Sequence, residues 1–197
     1  YDASHLREEY EQMTFSAEGV VRTSDGQEIR FSLDMQMERY YREESSISIR
    51  TGDATRKDPL VLNFAGTAAQ LNNRFVRFDL DGDGTNDLLP GLGKGSAYLA
   101  LDRNGNGRID NGRELFGPTS NNGYRELAEL DADGNGWIDD ADPLFEQLRM
   151  WNPDDELLRS LSDTGVGALA LARLNTPFAL RAADNTDLGR VRETGVF

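Results

Sequence analysis

Three stretches of the chain set oxygen-bearing side chains at alternate positions with glycines between them. They are DLDGDGTND at 79–87, DRNGNGRIDNGRE at 102–114 and DADGNGWIDDAD at 131–142. Hard divalent cations take six to eight oxygen ligands. A loop of about twelve residues supplies them from positions 1, 3 and 5, a backbone carbonyl at 7, position 9 and a closing residue at 12, with glycine at 6 for the turn. Alternate spacing matters because it turns successive ligands to the same side. The third loop follows this pattern most fully. Asp131, Asp133 and Asn135 stand at 1, 3 and 5, Gly136 at 6, the Trp137 carbonyl at 7, Asp139 at 9 and Asp142 at 12. Ile138 at position 8 is the apolar residue expected to pack beneath the loop.

The second loop offers Asp102, Asn104 and Asn106, the Arg108 carbonyl and Asp110, with Ile109 at position 8. Arg113 at 12 cannot be a ligand. Glu114 follows one residue late, and a bulge at Gly112 would let it swing in. The first loop offers Asp79, Asp81 and Asp83, with Asp87 at position 9. Pro90 stands at 12, so closure must come from elsewhere. An Asp at 12 in one loop and no ligand at 12 in another predict weak sites, near the about 10⁻⁴–10⁻³ M of extracellular modules. From Asp79 to Asp142 there are fourteen Asp or Glu and five Lys or Arg. A cation among these carboxylates makes them tolerable together. The threefold repeat is far harder to reach by chance than any single match.

The elements that must carry these loops can be read from periodicity. Met13, Phe15 and Ala17, and then Ile29, Phe31, Leu33, Met35 and Met37, alternate as half-buried strands do. Ser24-Asp25-Gly26 between them predicts a hairpin turn. SISIR at 46–50 adds a strand, and PLVLNF opens a short buried strand at Pro59, a permitted place for proline. The segment GSAYLALD entering loop two reads as strand. YRELAEL before loop three and PLFEQLRMW after it predict a helix on each side, with Pro143 at a first helical position. GVGALALARL and PFALRAADNTDLGRVRETGVF read as β-structure. The expected class is therefore α+β: a β-rich N-terminal hairpin region at 1–57, then a calcium-binding module at 58–197 with an EF-hand-like loop and helix middle and a β-rich end.

Composition narrows the function classes. The formal net charge of −14 argues against nucleic acid, since phosphate binding needs a basic face. No apolar run approaches a membrane span, so membrane insertion is not expected. There is no cysteine, and His5 is the one histidine, which excludes thiolate chemistry and histidine-rich metal sites. An oxygen-ligated metal, calcium first, is what remains. GLGKGS at 91–96 lacks the spacing of a phosphate-binding loop and reads as a turn. The compartment that suits such loops is a secreted or surface one, and the calcium ion is the only partner the residues name.

From Asp58 onward the chain resembles the calcium-dependent self-processing module of iron-regulated RTX (repeats-in-toxin) proteins. The blocks that carry the likeness are DPLVLNF, LALDRNGNGRIDNGRELFG, YRELAELDADGNGWIDDADPLFEQLRMW and, more loosely, LLRSLSDTGVGALAL. The resemblance implies calcium-triggered cleavage of the Asp58–Pro59 bond, a single-turnover autoprotease. The Asp58 carboxylate would attack its own main-chain carbonyl to form an anhydride, with the proline nitrogen leaving. One departure stands out. The family's D-x-D-G-D-G loop just after the proline is replaced here by LVLNFAGTAA, with Asn63, Ala65 and Thr67 where acids are expected. The residues themselves favour a structural or adhesive calcium-binding role, with self-cleavage as the rival.

Overall fold

A computed structural model describes residues 6–22, 28–44, 57–64, 71–154, 158–182 and 187–197. His5, the turn at 24–26, the strand expected at 46–50, and Ala65 and Thr67 lie outside them. The strands are β1 (Leu6–Arg22), β2 (Glu28–Glu44), β3 (Val61–Asn63), β4 (Leu71–Phe78), β5 (Asp87–Leu92) and β6 (Ser96–Leu101). They continue with β7 (Trp137–Ile138), β8 (Leu148–Trp151), β9 (Leu158–Ser160), β10 (Leu169–Ala170), β11 (Arg173–Arg181) and β12 (Asp187–Gly195).

The centre is a four-stranded antiparallel sheet in the order β3-β6-β8-β9. Its middle strand β6 is buried at every position, as a continuous apolar run covered on both faces must be. Alternation along β6 splits the core in two. Ala97, Leu99 and Leu101 join Leu62, Leu148 and Met150 on one face, under Phe116, Leu127, Ile138, Phe145 and Leu169. Tyr98 and Ala100 join Trp151 on the other, under Phe78, Leu80, Leu89, Leu92, Ile109 and Leu115. The β4–β5 hairpin covers this second face, and loop one is the hairpin's connection.

The α+β expectation is corrected here. Among the described residues there is one α-helix, α1 (Gly123–Ala128), six residues long, and the fold is β-rich. PLFEQLRMW is not a helix: Phe145–Gln147 makes a single 3-10 turn and Leu148–Trp151 is strand β8. The reason is competition for the backbone. A strand here bonds β6 on one side and β9 on the other, while it sends Leu148 and Met150 to one face and Trp151 to the other. The middle of the molecule is sheet flanked by loops.

The hairpin expected near the N-terminus is present, with β1 and β2 paired from Leu6↔Glu44 to Arg22↔Glu28. Met13, Phe15 and Met37 are buried with Phe178 of β11, and Met35 packs partly against them. Burial does not follow the alternation to its end: Leu33 is 40% exposed and lies outside the cluster around Met13, Phe15, Met37 and Phe178. The Ala179 N–H donates to Glu11 Oε1 (3.1 Å), tying β1 to the β11–β12 hairpin.

Candidate metal loops and the Asp58–Pro59 bond

All three loops share one hydrogen-bond scheme. In loop one, Asp79 Oδ1 accepts from the N–H groups of Gly82 (2.8 Å) and Asp83 (3.0 Å), and Oδ2 from Gly84 (3.0 Å). In loop two, Asp102 accepts in the same way from Gly105 (2.8 Å), Asn106 (3.2 Å) and Gly107 (2.7 Å). In loop three, Asp131 accepts from Gly134 (2.8 Å), Asn135 (3.2 Å) and Gly136 (3.0 Å). Positions 3 and 5 each accept from the N–H two residues on. Asp133 Oδ1 bonds Asn135 at 3.0 Å, for example, and Asn135 Oδ1 bonds Trp137 at 2.7 Å. Wrapping the backbone around one carboxylate needs a left-handed residue at position 6. Gly136 holds φ at +83°, where a side chain would be strained.

Closure differs between the loops. In loop three the carboxylate oxygens of Asp131, Asp133 and Asp142 come within 4.8 Å of one another, the set expected for positions 1, 3 and 12. Asp142 is buried, and its two oxygens accept from Ala132 (2.7 Å) and Asp139 (3.0 Å). The Asp139 carboxylate turns instead to the next turn and accepts from the Ala141 N–H (2.9 Å). In loop one Asp79, Asp81 and Asp83 converge within the same limit. Asp87 stands outside that group, yet its Oδ2 accepts from the Leu80 N–H (3.2 Å), the position-2 bond that Asp142 makes in loop three. Asp87 thus makes in loop one the hydrogen bond that the position-12 residue makes in loop three.

In loop two Glu114 does turn inward. It is 4% exposed on a 3-10 turn (Gly112–Glu114) whose N-cap Asn111 accepts from the Arg113 N–H, and its Oε2 accepts from the Asp110 N–H (2.8 Å). Its Oε1 is buried and has no hydrogen-bond partner. Asp110 Oδ2 takes the amide groups of Asn104 (3.0 Å) and Asn106 (2.6 Å), and these hold its carboxyl below the ordinary value. Arg108 and Trp137, expected to lend carbonyls, donate their N–H groups to Asn106 and Asn135 within the loops.

The anchors beneath the loops are apolar. Ile109 and Ile138 at position 8 are buried, as expected, and they lie on opposite faces of the sheet. In loop one position 8 is Asn86, and Leu80 at position 2 is buried instead. Loops one and two are joined: Asp79 bridges Asn111, the Gly112 N–H donates to the Asp79 carbonyl (2.8 Å), and Arg113 Nη2 donates to the Gly82 carbonyl (2.5 Å). Arg113, no ligand by type, is a brace. Loop three stands apart on the other face, where β7 pairs with β10 through Ile138↔Leu169.

Two carboxylates about 4 Å apart repel by about 1 kcal/mol in water and about 4 kcal/mol at the effective dielectric of a protein surface. Three in one loop therefore repel one another, and a cation among them would offset that repulsion. The donors are all oxygen, the chemistry calcium prefers over softer metals. The unpartnered Glu114 Oε1 is the kind of buried acceptor that an ion satisfies. The residues present fit such an ion.

The Asp58–Pro59 bond lies beside loop one. Lys57 Nζ is 3.4 Å from Asp81 Oδ2. The Leu60 N–H donates to the Phe116 carbonyl (2.9 Å), and the Leu60 carbonyl accepts from Leu99 (3.0 Å), so the proline side is fixed to the sheet. The Asp58 carbonyl packs on Gly117, where φ is +113° and a Cβ would overlap the carbonyl oxygen. Asp58 Oδ2 accepts from Arg192 Nη1 (3.0 Å). Burial pushes the Asp58 carboxyl up, Arg192 draws it down, and Glu193 adds to the rise. Nearby, burial pushes the Tyr124 phenol up to about 12. Asn63, in the stretch that departs from the acidic pattern, accepts from the Ser96 hydroxyl (3.2 Å). Arg192 and the Lys57 contact had no sequence signal. A lone cation 134 positions from Asp58 has no local pattern to betray it.

Comparison with known proteins relates the chain to a family and to a curated relative. The family described as the SPM domain matches residues 60–192. The iron-regulated protein FrpA of Neisseria meningitidis serogroup C is 35% identical over 142 residues, an alignment that takes in 62% of this chain and 13% of that protein. The chain thus spans only a small share of that relative's length.

Proposed function

The chain belongs to the SPM-domain family, and from that premise we propose that it is a calcium-binding module whose loops at 79–87, 102–114 and 131–142 are ordered by the ion. The ligands are Asp79, Asp81, Asp83 and Asp87 in the first loop, and Asp102, Asn104, Asn106, the Arg108 carbonyl, Asp110 and Glu114 in the second. In the third they are Asp131, Asp133, Asn135, the Trp137 carbonyl, Asp139 and Asp142. The observation that carries the reading is Glu114 Oε1, a buried acceptor without a partner inside a loop of the right donor chemistry. The ion supplies positive charge that offsets mutual carboxylate repulsion. The protein's own contribution is the N–H wrap around Asp79, Asp102 and Asp131. The division at 57/58 and a secreted or surface location for the parent protein belong to the same proposal. Similarity to an iron-regulated protein is consistent with that location.

A second reading, self-cleavage at Asp58–Pro59, is favoured by one observation: the Asp58 side chain and carbonyl are held separately, by Arg192 and by packing on Gly117. The test for both is calorimetric titration of the chelated protein with calcium, followed by a denaturing gel of the same sample. Heat of binding at two or more sites is expected. Fragments 1–58 and 59–197, the second starting at Pro59, are expected if the bond is cut. An absence of binding heat at millimolar calcium would sink the metal reading, and an intact band would sink only the cleavage.

A further inference from the structure

Two aspartates in this chain precede proline, and the structure treats them differently. Asp142 has both carboxylate oxygens engaged, Oδ1 by the Ala132 N–H and Oδ2 by the Asp139 N–H. Asp58 is gripped at Oδ2 alone, by Arg192 Nη1 from β12 (3.0 Å). The same Nη1 lies 3.4 Å from the Asn121 carbonyl, just before α1, so the guanidinium is itself tethered. Main-chain bonds at Leu60 hold the proline side, and the Gly117 contact holds the acyl side.

We propose that Arg192 is a positioning residue for cleavage at Asp58–Pro59: it fixes Asp58 Oδ2 and leaves Oδ1 to reach the Asp58 carbonyl carbon. This rests on the self-cleavage reading above. The step balances with water as the only co-reactant. Oδ1 bonds the carbonyl carbon and closes a five-membered anhydride. The C–N bond to Pro59 breaks, and the proline nitrogen takes a proton from water, which leaves hydroxide. That hydroxide adds to the anhydride and opens it, the proton released goes to the proline amine, and Asp58 is left C-terminal with two carboxylates, one water consumed in all. A side chain held next to its target in this way acts through proximity. Burial disfavours the anion that must attack, and the guanidinium offsets that cost. The charged and titratable groups facing Asp58 are Arg192 and Glu193 from β12 and the Tyr124 phenol from α1. Asp142–Pro143, with neither oxygen free to turn, stays intact.

The test compares the full chain with its Arg192→Gln and Arg192→Lys variants in millimolar calcium. Cleavage rate is read on denaturing gels and the new N-terminus by sequencing. Arg192→Gln is expected to cut about 10- to 100-fold more slowly, and its rate is expected to rise with pH through a higher midpoint, since a half-buried carboxyl without its cation ionises later. Arg192→Lys is expected to recover part of the rate. Calcium isotherms and melting temperatures are expected to match across all three proteins. Equal rates in wild type and Arg192→Gln would overturn the assignment. So would a loss of calcium binding and melting temperature in step with rate, which marks a purely structural role. Cutting at Pro143 in place of Pro59 would overturn it too. A wild-type chain that never cuts removes the self-cleavage reading itself, an outcome separable from these because no variant is needed to see it.

Discussion

Glu114 gives the sharpest residue-level test. A buried acceptor left without a partner costs about 1–3 kcal/mol, and more when charged. In chelator, Glu114→Gln removes that charge and retains an acceptor for the Asp110 N–H, so stability is expected to hold or rise slightly. In calcium the sign reverses. One site should weaken about tenfold or more, because ligand charge tunes these affinities over decades. Chemical denaturation with and without calcium measures both arms. A loss of stability in chelator would mean that Glu114 is structural and not a ligand. The same residue shows what local spacing can convey. Its lateness by one position and the glycine before it were visible in the sequence, and the inward turn followed. Asp87 was legible only as a position-9 ligand. Its hydrogen bond from the Leu80 N–H, the one the position-12 residue makes in loop three, depends on β4 and β5 closing a hairpin around the loop.

Among the elements, loop three is coupled to the core through β7. Ile138 is fully buried, and its backbone pairs with Leu169 of β10, so loop shape and sheet packing share one residue. Ile138→Ala is expected to cost about 2–5 kcal/mol, the range for emptying a well-packed site, in calcium and in chelator alike. Guanidinium unfolding measures it, and a cost seen only with calcium would mean that the packing forms after the ion binds. This scale is also where periodicity misled. The segment PLFEQLRMW has helix-like spacing, but apolar runs of this length do not distinguish helix from buried strand. The pairing of β8 with β6 and β9 decided it. The short α1 survives because Asn122 caps it by accepting from the Arg125 N–H, and Leu127 anchors it in the core.

For the molecule as a whole, the loops sit on both faces of one sheet. Loops one and two lie over the face with Tyr98 and Trp151, and loop three over the face with Leu99 and Met150. On the calcium reading, an ion bound at either face would stabilise the same core. Calcium is expected to raise the melting temperature, each independent site adding about 2.7 kcal/mol at a hundredfold excess over its Kd. Chelator should reverse the gain. Acid should reverse it as well, because a carboxylate binds a cation only in its ionised form. Scanning calorimetry across calcium concentration and pH checks this. A melting temperature indifferent to both would rule out the ordering role.

Local chemistry was carried by the sequence alone: three oxygen-rich loops, the glycines that turn them, the isoleucines beneath two of them, and the hairpin strands. Each of these depends on residues within a few positions of one another, where spacing and backbone geometry suffice. Tertiary structure decided the sheet in the middle, the bridge between loops one and two, and the placing of Arg192 and Lys57 around Asp58–Pro59. Those contacts join residues far apart along the chain, and their partners are selected by packing against a shared core, which no local pattern encodes.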